Sequence, residues 1–215
     1  MNETIAMPRL HVLTDARSGR GALDIIAGAL SGGAPLVQVR AKGVTDRELY
    51  DLAVRVSGLC AAAGASCIVD DRIDIALAVG AAGTHLGAGD LPLAAARRVA
   101  GPGHLLGGTA REPVLAASLV ADGADYLGVG PAWATATKDG LPEPIGSAGV
   151  AAVTAAVDIP VIAIGGVTAA RVPELLAAGA HGVAVVAAVS GAADPAEAVR
   201  ALLRALGPGS VPGPA

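Results

Sequence analysis

The sequence contains no phenylalanine, and its aromatic residues are limited to one tryptophan and two tyrosines among 215 residues. Since 53% of the residues are nevertheless hydrophobic, the core has to be packed by alanine and branched aliphatic side chains, which suits alternating strands and helices. A chain of this length and hydrophobicity is expected to form one large globular domain.

Cysteines, long apolar runs and basic clusters are also scarce. Cys60 and Cys67 are the only cysteines, too few for a disulfide framework, and their apolar neighbours favour reduced core thiols. Because no apolar run has the length of a membrane span and the first residues lack a secretory signal pattern, we expect a cytoplasmic protein without membrane contact. Fifteen Lys and Arg stand against nineteen Asp and Glu with no basic run, which argues against a nucleic-acid partner.

Eight short apolar runs rich in β-branched residues alternate with helix-like stretches. Runs that are apolar on both faces and separated by helices indicate parallel strands with helical crossovers. A Gly-Ala pair recurs about every 50 residues at predicted helix ends: Gly33-Ala34, Gly80-Ala81, Gly123-Ala124 and Gly179-Ala180. We predict an α/β fold, a single-domain (β/α)8 TIM barrel over residues 8–206 with disordered tails at 1–7 and 207–215; an open doubly wound sheet is the alternative.

Three segments carry the pattern of a helix start, in which a capping side chain precedes a glutamate by three residues. They begin at Thr45, Thr109 and Asp194. We expect helices to begin directly after these residues.

Polar side chains collect where the predicted strands end, which is where both architectures bind ligands. Gln38, Arg40 and Lys42 alternate on one side of the second strand, so they would present an amide and two cations to one point. Solvated surface charge is the alternative interpretation. A buried glutamine and arginine are costly without a partner, however, and an anionic ligand would supply one.

Two carboxylates follow neighbouring strands. Asp71 and Asp90 each directly precede a predicted helix, so each could cap that helix. As a pair at neighbouring strand ends they could instead hold magnesium together with phosphate oxygens and water. Asp74 fits the first turn of a helix, where an acidic residue opposes the helix dipole.

Two further segments could bind an anion. The run TATK at 135–138 offers two hydroxyls and an ammonium in a glycine-containing loop, and Gly165-Gly166 leaves bare backbone before a helix predicted near Thr168. We therefore expect two anionic groups, one near the second to fourth strands and one near the seventh and eighth. The four histidines match no metal or nucleophile motif and are interpreted as structural or surface residues.

Taken in order, QVRAK, VDDRIDIALAVGAAGTHLGAGDLP, ADYLGVGPAWATATKDG and PVIAIGG resemble the thiamine-phosphate synthase family, also called thiamine-phosphate pyrophosphorylase. The match covers nearly the whole chain between the tails. The resemblance implies a (β/α)8 barrel and a transferase of thiamine biosynthesis that joins an aminopyrimidine methyl diphosphate to a thiazole phosphate, or its carboxylate form, and releases pyrophosphate. It implies Mg²⁺ as cofactor and small-molecule substrates, and it is compatible with a homo-oligomer.

The resemblance also implies roles for individual residues. The pyrimidine diphosphate would be bound at Gln38, Val39, Arg40, Ala41, Lys42, Asp70, Thr109 and Lys138. The thiazole phosphate would be bound at Thr135, Ala136, Thr137, Gly166, Val186 and Ala187. Asp71 and Asp90 would bind magnesium, while Arg40, Lys42 and Lys138 would stabilise charge on the leaving pyrophosphate.

Two positions depart from the family pattern and leave other functions open. The family usually has Asn at the position of Asp70, where a carboxylate would repel the diphosphate unless it is protonated, turned away or recruited by the metal. It commonly has a Ser hydroxyl near Ala187; if backbone N–H groups mainly hold the phosphate, this loss would weaken its affinity by about 1 kcal/mol. A non-catalytic binding protein of the thiamine pathway is one alternative. The other is a thiazole tautomerase, which would have a histidine where this chain has Arg111.

Overall fold

A computed structural model of the chain describes residues 7–14, 21–135, 137, 140 and 142–209. Eight parallel strands close into a barrel in chain order, and the last pairs with the first. The strands are β1 (Leu10–Leu13), β2 (Leu36–Val39), β3 (Ser66–Asp70), β4 (Gly83–Leu86), β5 (Leu105–Ala110), β6 (Tyr126–Val129), β7 (Val161–Ile164) and β8 (Gly182–Val185). The predicted (β/α)8 barrel is confirmed, and each predicted strand is present.

Helices cover the outside of the barrel. They are α1 (Ala22–Ser31), α2 (Asp46–Ala63), α3 (Ile73–Ala78), α4 (Leu93–Ala100), α5 (Pro113–Ala121), α6 (Gly146–Thr154), α7 (Val172–Ala177), α8 (Ala187–Ser190) and α9 (Pro195–Leu206). A short 3-10 turn, Ala169–Arg171, leads into α7. Within the described part of the chain, no helix combines the length and the apolar character needed to cross a membrane.

Two of the three predicted helix starts are confirmed. Thr45 and Glu48 form a complete capping box at α2, and the Asp194 carboxylate caps α9. The third is wrong, because Thr109 lies within β5 and α5 begins only after Glu112, without a side-chain cap. The strand extends further than the local pattern indicates, and this keeps Thr109 on the barrel wall.

The repeated Gly-Ala pairs end four helices in the same way. Their glycines have positive φ angles between 65° and 96°, and the N–H of each following alanine donates to the carbonyl five residues earlier. This is the Schellman geometry, which suits glycine because it has no Cβ. The pairs lead into β2, β4, β6 and β8, so each repeat contains two β/α units, as predicted.

Gly179→Ala is expected to destabilise the fold more than Gly64→Ala. Both glycines have positive φ, 87° and 67°, which costs an alanine about 1–2 kcal/mol. A Cβ at Gly179 would also lie 2.8 Å from Thr154 Oγ1, whereas nothing lies within 4 Å of a Cβ at Gly64. Chemical denaturation should therefore show the larger loss of unfolding free energy for Gly179→Ala. Equal losses would mean that Thr154 moves aside without cost.

The core forms on both sides of the strands. The barrel interior contains an apolar cluster of Met7, Leu13, Leu36, Ile68, Tyr126, Ile162 and Ala184, while a larger cluster fills the space between strands and helices. Met7, which the sequence analysis places in the tail, thus packs inside the barrel. Cys60 and Cys67 are buried free thiols. Along β2, Leu36 and Gln38 face inward, so the interior becomes polar toward the end of this strand.

Candidate active site

A cavity of about 440 Å³ opens at the carboxyl ends of the strands. All eight strands contribute to its wall. One lining residue from each, in chain order, is His11, Gln38, Asp70, His85, Thr109, Tyr126, Ile162 and Ala184. The barrel therefore brings together side chains that are far apart in the sequence, in the place where this architecture binds ligands.

The end of β2 carries the cations. Gln38, Arg40 and Lys42 all line the cavity, as their alternation predicts. Thr14 holds the Arg40 backbone: its hydroxyl accepts from the Arg40 N–H at 2.7 Å and donates to the Arg40 carbonyl at 2.6 Å. Thr14 was not among the predicted site residues, although its place directly after β1, the strand paired with β2, was a usable signal.

Val39 and Ala41 lie between these three residues and face the other way. Val39 is fully buried in the cluster between strands and helices, and Ala41 packs partly against the same cluster. Any contact with a ligand from these two positions would therefore come from the backbone.

Asp70 faces the cavity. Its Oδ2 lies 3.4 Å from Arg40 Nε and 3.9 Å from Lys42 Nζ, so the side chain is not turned away. Burial and the neighbouring Asp71 raise the pKa of Asp70 to about 7, against the opposing effect of Lys42 and Arg40. In the free protein this carboxyl group interacts with the two cations that an anionic ligand would need.

Asp71 and Asp90 converge from the ends of β3 and β4. In the described part of the chain, Asp71 is the one non-glycine residue with a positive φ, 63°, and it forms an ion pair with Lys42. Asp90 accepts a hydrogen bond from the Gly87 N–H at 2.7 Å. Burial acts to raise the pKa of Asp71, but hydrogen bonds with Lys42 and Asp90 lower it; burial and Asp71 raise the pKa of Asp90. Each of the two carboxyl groups therefore affects the pKa of the other.

Neither carboxylate caps a helix. The N-cap positions of α3 and α4 are Arg72 and Pro92, and neither helix has a side-chain cap. The capping interpretation of Asp71 and Asp90 is therefore wrong, and both side chains line the cavity. Asp74, by contrast, lies in the first turn of α3, 2.6 Å from the Arg72 guanidinium, as expected for a helix residue.

His85 is a site residue that sequence reasoning missed. It lies on β4 and lines the cavity, with Nε2 2.9 Å from Thr109 Oγ1 and Nδ1 3.1 Å from Tyr126 Oη. His11 also lines the cavity. His11 is also buried with its Nε2 3.1 Å from the Pro8 carbonyl oxygen, so the structural interpretation of the histidines stays open for both residues, although both face the cavity. The alternation in GTHLG was the available signal, since it places His85 on the face opposite Thr84.

The opposite wall is formed by the ends of β6, β7 and β8. Thr135 and Thr137 line the cavity with their hydroxyl oxygens 3.0 Å apart, whereas Ala136 and Lys138 lie outside the described residues. Gly165 and Val186 line it as well. Val186 is one of the positions implied by the resemblance. Gly166 and Ala187, which directly follow these two residues and are implied as well, do not line the cavity.

Gly166 is held between two segments of this wall. Arg171 donates to its carbonyl at 2.6 Å and lies 4.7 Å from the Trp133 ring centroid. A Cβ at Gly166 would lie 2.8 Å from the Ala134 carbonyl oxygen, and φ is +64°, so glycine is required here. The contacts of Arg171 with the Gly166 carbonyl and the Trp133 ring connect the end of β7 to the segment that leads to Thr135.

The family of the chain follows from a direct match. The family model described as thiamine monophosphate synthase matches residues 10–189. The chain belongs to the thiamine monophosphate synthase family. It is therefore an enzyme of the transferase class, as the sequence motifs implied.

Members of the thiamine monophosphate synthase family are similar to this chain along nearly all its length. A thiamine-phosphate synthase of Salinispora arenicola is 57% identical and one of Salinispora tropica 58%, each over 204 residues, 94% of this chain and 98% of the relative. The structure of a thiamine phosphate pyrophosphorylase from Pyrococcus furiosus is 35% identical with a TM-score of 0.85, and the match covers 92% of this chain and 95% of that one.

Arg111 bears on the tautomerase alternative within the thiamine monophosphate synthase family. It stands where the resemblance would place a tautomerase histidine, and its guanidinium donates to the Glu143 carbonyl in the connection before α6. Arg111 therefore contributes a contact between two loops. An arginine is also a poor acid–base catalyst because it stays protonated, so it does not replace the histidine of a tautomerase.

Proposed function

We propose that this chain joins an aminopyrimidine methyl diphosphate to a thiazole phosphate, or its carboxylate form, and releases pyrophosphate. One observation carries the proposal: the cavity has two polar regions on opposite walls. Cations and carboxylates gather at the ends of β2, β3 and β4, while the hydroxyls of Thr135 and Thr137 and the backbone of Gly165 line the cavity after β6 and β7. Two anionic substrates need two such regions.

The proposed reaction needs no nucleophilic side chain. The bond between the methylene carbon and the diphosphate oxygen breaks, its electron pair leaves on pyrophosphate, and the aminopyrimidine stabilises the resulting cation. The thiazole nitrogen then donates its lone pair to the same carbon and forms the new C–N bond. With the carboxylate form, the bond from the ring carbon to the carboxylate also breaks, CO2 leaves, and the electron pair of that bond stays on the ring. The protein contributes positioning and neutralisation of the leaving group.

Arg40 and Lys42 would bind the diphosphate. The backbone of Arg40 is already fixed by Thr14, and the forked donors of a guanidinium match phosphate oxygens. Lys42 is half exposed and can move from its carboxylate partners toward a ligand. Lys138 would bind the diphosphate as well; this role rests only on the resemblance, because Lys138 lies outside the described residues.

Asp71 and Asp90 would hold Mg²⁺. Among the described residues no group of three or more His, Cys, Asp or Glu side chains forms a metal site, but magnesium typically takes only one or two carboxylates and completes its shell with water and phosphate oxygens. Two carboxyl groups that line the same cavity and shift each other's pKa fit this demand, since a cation bound by both would offset the unfavourable effect of one negative charge on the other. When bound, Mg²⁺ would neutralise charge on the departing pyrophosphate.

The proposed function is tested by incubating the purified chain with both substrates and magnesium. We expect thiamine phosphate and pyrophosphate in equal amounts, and no product after metal chelation. Binding of both substrates in calorimetry without product above background would instead support a binding protein. Isomerisation of the thiazole carboxylate phosphate alone would support a tautomerase.

Asp70→Asn is expected to lower the KM for the pyrimidine diphosphate about tenfold, equivalent to roughly 1.4 kcal/mol. The change removes a carboxyl group that lies 3.4 Å from Arg40 Nε and competes with the substrate for this cation. Steady-state kinetics with each substrate varied in turn checks the prediction, and the KM for the thiazole phosphate serves as the internal control. An unchanged or higher KM for the pyrimidine diphosphate would mean that Asp70 assists binding.

A further inference from the structure

The imidazole of His85 connects side chains from neighbouring strands, and the proposed mechanism uses neither of its ring nitrogens. Nε2 lies 2.9 Å from Thr109 Oγ1, and Nδ1 lies 3.1 Å from Tyr126 Oη. Gln38 interacts with the same Tyr126 hydroxyl, and all four residues line the cavity. Gln38 and Thr109, two positions assigned to the pyrimidine diphosphate, are therefore linked through two residues to which no role is assigned.

The backbone of the barrel leaves space for this pair of rings at two glycines. A Cβ at Gly107 would lie 2.5 Å from His85 Nδ1 and would also clash with the Tyr126 ring. A Cβ at Gly128 would lie 2.9 Å from His85 Cε1. Because real Cβ contacts are longer than this, both rings depend on glycine at these positions of β5 and β6. The position of the His85 ring therefore depends on the glycines of the two neighbouring strands.

The direction of the hydrogen bonds follows from the acceptor atoms of the substrate. Phosphate oxygens and pyrimidine ring nitrogens accept, so a Thr109 hydroxyl that binds them has to donate its one proton. Thr109 Oγ1 then accepts from His85, which makes Nε2 the protonated ring nitrogen and Nδ1 the acceptor. The Tyr126 hydroxyl can donate to Nδ1, because burial raises its pKa far above the ordinary value and keeps it protonated.

We propose that His85 is a positioning residue for the pyrimidine diphosphate: held by Tyr126 as the neutral tautomer with its proton on Nε2, it directs the Thr109 hydroxyl proton into the cavity. The identity of the substrate rests on the proposed function. The tautomer rests on it as well, because it is derived from the acceptor atoms of that substrate, whereas the contacts of His85 with Thr109 and Tyr126 are given by the structure alone.

Paired substitutions of His85 separate the two ring nitrogens. A glutamine can place its amide near Nε2 and keep a donor to Thr109, whereas an asparagine reaches only the position of Nδ1. We expect His85→Asn to lower kcat/KM for the pyrimidine diphosphate on the order of 10-fold to 100-fold, His85→Gln to restore most of it, and the KM for the thiazole phosphate to stay unchanged. Equal losses in both variants, or losses shared by both substrates, would indicate a merely structural role and overturn the proposal.

A double-mutant cycle adds a second kinetic test. In a Thr109→Ala background, His85→Asn should cause no further loss, because its effect passes through the Thr109 hydroxyl. Additive losses would contradict the proposal.

Nitrogen-15 NMR of the histidine-labelled protein reads the tautomer without any substrate. The chain has four histidines, and the signals missing in His85→Gln identify His85. We expect a protonated Nε2 and an unprotonated Nδ1 in the wild-type chain, and a mixture of tautomers in Tyr126→Phe. A protonated Nδ1 in the wild-type chain would overturn the proposal even if thiamine phosphate is formed. The correct tautomer without product would instead place the failure in the proposed function.

Discussion

Asp71→Asn and Asp90→Asn are each expected to lower turnover by about 10³-fold, because each removes one of two carboxylates proposed to hold the magnesium that neutralises the leaving pyrophosphate. Asparagine keeps the side-chain shape and tolerates positive φ, so Asp71→Asn removes the charge without straining the backbone at φ 63°. Initial rates at saturating concentrations of both substrates, measured across a magnesium titration, check the prediction.

Asp74→Asn is the matched control for these two variants. It makes the same chemical change three residues after Asp71, but Asp74 lies in the first turn of α3 and pairs with Arg72 at the surface. Turnover should stay within about twofold of the wild-type value, as for most surface substitutions. Thermal unfolding of all three variants verifies the fold. Near-normal turnover in Asp71→Asn and Asp90→Asn would remove both carboxylates from the reaction, and the magnesium proposal with them.

The strands of this barrel could be predicted because each is covered on both faces. A strand of this kind is a short continuous apolar run, and the Gly-Ala pairs mark where four of the preceding helices end. The end of β5 could not be predicted in the same way. The run from Thr109 to Glu112 matches a helix start locally, but pairing with β6 extends the strand through Ala110, so tertiary contacts override the local pattern.

The candidate site was predictable where its geometry is local. Gln38 and Arg40 lie two residues apart, and the period of a strand places them on one face. The contact of Arg40 with Asp70 and that of His85 with Thr109 depend instead on how strands align with their neighbours. Pairing of Val39 with Val69 brings the ends of β2 and β3 together, and this register is a property of the closed barrel.

Arg40→Met is expected to lower kcat/KM for the pyrimidine diphosphate by about 10²-fold to 10³-fold, since it removes a preorganised cation from the place where negative charge develops. The effect should exceed that of Arg40→Lys, which keeps the charge but loses the forked geometry that matches phosphate oxygens. Competitive inhibition by pyrophosphate gives a second measurement. Its inhibition constant should rise in the same order, because the product carries the groups that Arg40 would bind.

Arg98→Met and Thr14→Val are the controls for Arg40→Met. Arg98 lies on α4, where its guanidinium donates to the Ala94 carbonyl, so its loss should leave the kinetics unchanged. Thr14→Val removes both hydrogen bonds to the Arg40 backbone while the guanidinium remains, and we expect a smaller loss in the same parameter. If Arg98→Met matched Arg40→Met, the effect would come from overall charge. If Arg40→Met left pyrophosphate inhibition unchanged, the diphosphate would bind elsewhere in the cavity, and the cations at the end of β2 would serve only to balance Asp70 and Asp71.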